Sequence, residues 1–188
     1  MRCGSGGGFT GAGGLSAWQN AAMAQLLLDA RHTRGSAAVM KTYRTYGAEV
    51  EMRFRSWMQI EVALHLSRVH ELESALPISE QAVYNAQRSG EPEEASHRKI
   101  HHATLLSKAG QGEQALELLA EAEEANPNVA LIRMNALLVK IQWALSAGQE
   151  SEADLYLSMA YRDLDTYHPE DIRLPVLRAR LEALKLKF

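Results

Sequence analysis

Residues 103–127 read ATLLSKAGQGEQALELLAEAEEANP. Apolar residues fall three and four apart on either side of Gly110 and Gly112, the period of two amphipathic helices joined by a tight turn. Ala103 is followed twelve residues on by Ala115, and seven further by Ala122. The same ladder stands 40 residues earlier as Ala63, Ala75 and Ala82. It returns 38 residues later as Ile141, Ala153 and Ala160, with only its first member enlarged. Small residues are needed where two helices of a pair cross closely, because larger side chains force the backbones apart. Gly110 and Gly148 mark the turn inside their pairs, whereas the earliest copy has His70 there. Any Ala-rich helical bundle can space alanines by seven; turn residues that repeat with them favour an internal repeat.

Outward from this stretch, apolar residues keep the helical period from Ser16 onward, with no alternating strand pattern. Breaks fall at Arg34-Gly35, Gly47, Arg88-Ser89-Gly90-Glu91-Pro92, Asn126-Pro127-Asn128, Gly148 and His168-Pro169. The spacing predicts helices near 16–33, 36–46, 48–69, 71–88, 92–109, 112–125, 129–147, 150–166 and 170–187. Connections this short make consecutive helices antiparallel neighbours. Pro77 either kinks the fourth helix or marks its true start. The last helix is expected to begin at Pro169-Glu170-Asp171, with acids at the positive end of its dipole. Its stripe Leu174, Leu177, Leu181 and Leu184 needs a partner surface, the nearest lying around Leu155 and Met159. Docked in its own chain the stripe caps a monomer; docked on another it makes a homodimer.

Composition narrows the class. The chain has 188 residues, 46% apolar and 23% charged, which fits one soluble domain and excludes wholesale disorder. Only 6% are aromatic, a bias toward helices over strands. The lone Cys3 excludes an internal disulfide framework and any Cys-based zinc module, and a cytoplasmic location is expected. A net charge of −3 argues against a nucleic-acid partner. The longest apolar stretch, 129–147, is interrupted by Arg133, Asn135, Lys140 and Gln142, so no membrane insertion is expected. A basic residue followed by glycines lacks the apolar core of a secretory leader, so secretion by that route is not expected. Residues 1–14 form a glycine-rich flexible tail, and residues 15–188 the helical domain. Gly6 to Gly11 matches G-x-G-x-x-G but lacks the preceding strand that a dinucleotide site needs.

No residue constellation points to catalysis, so the chain is not expected to be an enzyme and no cofactor is expected. G-x-S-x-G and G-x-x-x-x-G-K-[ST] are absent, and Cys3 sits in the tail. His97 and His101 stand one turn apart beside His102, a spacing that ligates zinc only with a third ligand; a solvent-facing or groove-lining pair is the simpler reading. Glu93 and Glu94 lie one turn upstream and are expected to be solvated. Glu113, Glu117 and Glu121 share a face and read as a solvated stripe. Residues 1–70 hold 8 basic and 4 acidic residues, net +4, while 71–188 hold 12 and 19, net −7. Lys41, Arg44, Arg53 and Arg55 make a basic patch. Such asymmetry steers charged partners, or is ordinary helix-surface charge.

From Ala95 to Pro127 the chain resembles a tetratricopeptide repeat, down to the closing Asn126-Pro127-Asn128. The copy at 73–95, ESALPISEQAVYNAQRSGEPEEA, is similar to the extended repeats of about 40 residues in bacterial helical sensor and adaptor proteins. The resemblance implies an all-α fold, a right-handed α–α superhelix of three to four helix pairs near 16–46, 48–88, 92–125 and 129–166, closed by the capping helix. In such repeats the first helix of each pair lines a concave groove. Here that face would carry Trp57, Ile60, Leu64 and Arg68 from one pair. The next pair would add His97, Ile100, Thr104 and Lys108, and the third Asn135, Leu138, Gln142 and Leu145. An apolar ribbon with polar edges suits a peptide with apolar anchors; the same apolar residues also suit a core between helices. Chaperone-binding relatives clamp a terminal carboxylate with Lys and Asn, and Ile60, Ile100 and Leu138 at those positions argue against that clamp. Two functions follow. One is an adaptor or chaperone-like module holding a peptide segment of another protein; the alternative is a regulatory sensor whose groove takes a small molecule or short signalling peptide.

Overall fold

The computed structural model describes residues 21–22, 24–26, 28, 36–46, 52–168 and 170–186. The tail 1–14 with Cys3 and its glycine motif, the breaks at Arg34-Gly35 and Gly47, and Pro169 lie outside the described residues. Every regular element among the described residues is a helix. After helical residues at Ala21, Ala22 and Leu26 come α1 (Ser36–Tyr46), α2 (Met52–Arg68), α3 (Leu72–Ser89) and α4 (Pro92–Lys108). They are followed by α5 (Gly112–Ala125), α6 (Ala130–Ser146), α7 (Glu150–Leu164) and α8 (Leu174–Lys185). None is long and apolar enough to cross a membrane.

Most boundaries sit where the punctuation puts them. Gly90 ends α3 in the left-handed conformation at φ 81°, and Pro92 opens α4, where its missing N–H costs nothing. Pro77 lies inside α3 rather than at its start, on the exposed side. The last helix is a correction: it begins at Leu174, not 170. Glu170 and Asp171 belong to a turn in which the Asp171 carboxylate accepts from the Arg173 backbone N–H at 2.9 Å. Pro175 in the first turn of α8 is the actual start signal.

Three pairs, α2–α3, α4–α5 and α6–α7, repeat one internal geometry. All nine residues of the ladder are at most 1% exposed, from Ala63 through Ile141 to Ala160. Each turn has one left-handed residue in the same register: His70 at φ 65°, Gly110 at 79° and Gly148 at 69°. The following N–H reaches back to a carbonyl of the first helix, Glu71 to Leu66, Gln111 to Leu106 and Gln149 to Ala144, each at 2.9 Å. This is a Schellman closure. His70 thus departs in residue type but not in conformation.

Each new pair meets the preceding pair through its own first helix, which packs on both helices of that pair. Helix α4 packs on α2 and on α3, and α6 packs on α4 and on α5; α8 packs on α7 and α6. Among the described residues the second helices α3, α5 and α7 do not touch one another. Three apolar clusters result. Val39, Met58, Val62, Leu66 and Leu105 anchor the first. Ile100, Leu106, Leu119 and Ile132 anchor the second, and Met134, Leu138, Leu157 and Leu181 the third. Helices α4 and α6 each supply two clusters, so they are apolar on more than one face. That double duty explains the long apolar run at 129–147 without a membrane.

Helix α8 docks within the chain through Leu177, Leu181 and Leu184, all at most 5% exposed. They meet Leu157 and Leu164 of α7 and Met134 and Leu138 of α6. Leu155 and Met159, the surface expected from the sequence, stay 58% and 40% exposed on the other side of α7.

Candidate functional site

The face expected to bind a peptide is built from the first helices. Helices α2, α4 and α6 lie side by side, α4 packed on α2 and α6 on α4. Lys108 Nζ of α4 donates to Ser67 Oγ of α2 at 3.3 Å. Arg68, Lys108 and Gln142 are exposed; Trp57, Leu64, His97, Thr104, Asn135 and Leu145 are half-buried. Trp57 stacks on Phe54 at 6.0 Å between centroids, and Thr104 Oγ1 donates to the Ile100 carbonyl at 2.9 Å. Ile60, Ile100 and Leu138 are at most 5% exposed and belong to the core. The continuous apolar ribbon expected of this face is therefore corrected: its middle row fills the space between helices.

Polar groups that the spacing did not flag stand beside these residues. Arg98, 8% exposed, donates from Nη2 to Glu94 Oε1 at 2.5 Å on its own helix. Its Nε donates to Ser56 Oγ of α2 at 3.2 Å, fastening one first helix to the next. Glu94 is thus a largely covered ion-pair partner, not the solvated acid expected, while Glu93 stays exposed with His97 Nε2 3.7 Å from its carboxylate. Burial raises the pKa of Glu61, against the pull of Arg68 and Arg98. His101 is pushed down to about 4, first by burial and then by Arg98, His97 and Arg180. Arg180 comes from α8, so the last helix brings a cation toward α4. Arg98 was legible in principle, since the equivalent positions in the other copies are Met58 and Ala136.

The three histidines do not converge. His102 turns to the second helix of the preceding pair, its Nδ1 2.7 Å from Ser79 Oγ, which in turn donates to the Leu76 carbonyl at 2.8 Å. No group of three His, Cys, Asp or Glu among the described residues is placed to hold a metal. The acidic stripe of α5 is partly engaged, Glu121 with Lys99 at 2.7 Å, while Glu113 and Glu117 are exposed. Lys41 and Arg44 of the basic patch line an open cavity of about 550 Å³ between α1 and the start of α3, with Met40, Thr45, Glu71 and Ser74.

The site and fold define an all-helical protein made of repeated antiparallel pairs with a mixed polar face on the first helices. Comparison of the chain with models of protein families, with curated proteins and with solved structures gives no match.

Proposed function

We propose that the chain is an interaction module of the tetratricopeptide type, a right-handed superhelix of helix pairs that holds a peptide segment of a partner along α2, α4 and α6. The observation that carries this reading is the repeated stacking: each first helix packs on both helices of the pair before it, while among the described residues the second helices do not pack on one another. A stack in which first helices are layered on first helices offers that layer as an extended surface. Because Ile60, Ile100 and Leu138 are spent on the core, recognition falls to Arg68, Lys108 and Gln142, with half-buried Trp57, Leu64 and Leu145 as apolar anchors. Arg68 and Lys108 favour a segment bearing carboxylates. The test is affinity capture from native lysate with the wild-type chain and an Arg68→Glu/Lys108→Glu variant, read by mass spectrometry. Both side chains are exposed, so the variant is expected to keep the fold, and its circular dichroism spectrum checks this. A protein recovered by the wild type and lost by the variant supports the reading; equal recovery of every bound species overturns it.

A further inference from the structure

Among the described residues helix α1 packs on α2 but not on α3, and the cleft left between α1 and the start of α3 is the open cavity of about 550 Å³. Small-molecule sites have volumes of this order. Ala37, Met40, Lys41 and Arg44 all line it, and their spacing of three, one and three makes them one face of α1. The first half of that face is apolar, with Met40 half-buried, and the second half carries two cations. Lys41 and Arg44 are exposed and make no ion pair among the described residues, whereas Arg98, Lys99, Arg133 and Lys140 each meet a carboxylate. The first turn of α3 borders the cleft as well. Ser74 brings a hydroxyl, and no side chain caps the N–H groups of Leu72, Glu73 and Ser74. Thr45 is no donor to the cavity, because its hydroxyl is given to the Lys41 carbonyl at 2.9 Å.

We infer that this cleft binds a small phosphomonoester that carries hydroxyl groups. Such an ester has about 1.5–2 negative charges at neutral pH and three strong acceptor oxygens. Lys41 and Arg44 match that charge, and a guanidinium takes two oxygens at once. Ser74 and the start of α3 supply further donors. The carbon skeleton then lies along Ala37 and Met40. Glu71, also in the wall, sets the rest of the specificity. A carboxylate has acceptor sites beyond any one partner, so it accepts from a ligand hydroxyl and repels a ligand carboxylate. No residue assigned to the peptide face lines the cleft, so each reading can fail without the other.

The probe is ribose 5-phosphate, titrated into the full chain by isothermal calorimetry at low salt. Ribose, inorganic phosphate and 3-phosphoglycerate are the comparisons. Ribose 5-phosphate should bind saturably, inorganic phosphate and 3-phosphoglycerate about tenfold or more weakly, and ribose not at all. Lys41→Gln and Arg44→Gln should each weaken the binding by about tenfold, with circular dichroism checking that the fold is kept. Glu71→Gln should bring 3-phosphoglycerate level with ribose 5-phosphate. The Arg68→Glu/Lys108→Glu variant should bind as the wild type does. No heat from ribose 5-phosphate, binding indifferent to both cation variants, or equal binding of ribose overturns the inference. So does inorganic phosphate or 3-phosphoglycerate binding as tightly as ribose 5-phosphate, since the cleft is then a contact for any anion.

Discussion

His70 holds a backbone conformation that its neighbours in register give to glycine. A left-handed residue with a Cβ costs roughly 1–2 kcal/mol, while glycine adds unfolded-state entropy that offsets part of the relief. His70→Gly should therefore stabilise the chain by about 0.5–1 kcal/mol, and Gly110→Ala should destabilise it by about 1–2 kcal/mol. A Cβ at Gly110 would meet nothing within 4 Å, so the second change isolates the backbone term. Urea midpoints of both variants check the pair of signs; two unchanged midpoints would deny the strain. At this scale the sequence was legible where size alone decides. The ladder from Ala63 to Ala160 is buried as its spacing requires. It was illegible where a residue could serve either a surface or a core. Ile60, Ile100 and Leu138 look the same in both roles, and only the helices packed around them decide.

Helix pairs are where crowding becomes measurable. Ala115, 1% exposed, sits at the crossing of α4 and α5. Ala115→Leu should overpack it and cost about 1–3 kcal/mol, read as a lowered melting temperature. Gly112 opens α5 where a Cβ would collide with the Trp143 indole nitrogen of α6. Helical periodicity carries no sign of that contact, since it joins two helices that the pattern treats separately. The start of α8 was misplaced for a related reason. Pro-Glu-Asp reads as a helix opening, but Asp171 spends its carboxylate on the backbone and guanidinium of Arg173. Helix α4 should also carry a pH dependence. His97, His101 and His102 all have lowered pKa values, with burial the largest cause. A histidine whose folded value lies below its unfolded one contributes fully above about 6.5. That contribution is lost as the pH falls toward the folded value, about 4 for His101. Stability in urea should fall across that window, and His101→Gln should fall less. Parallel curves for the two proteins would show that His101 is not involved.

For the whole molecule, the repeat announced the pairs, their turns and their order, because each copy must solve the same crossing. The path of α8 across α6 and α7 was not announced, since Leu157 and Leu155 both stand on α7 as plausible partners and only docking tells them apart. Removing residues 172–188 should uncover Leu157, Leu164, Met134 and Leu138 together, and light scattering should then report aggregation. A truncated chain as monodisperse as the full one would mean that this surface closes on itself. The division of the apolar interior into three clusters has a mechanical consequence. The first and second clusters are joined through α4 and Leu76 of α3, the second and third through α6, and the first and third share no helix, so no single rupture dismantles all of them. A molecule stretched between its two ends should lengthen in successive steps, each releasing a few helices while the remainder still bears load, so that it behaves as a short extensible spring rather than a brittle bead.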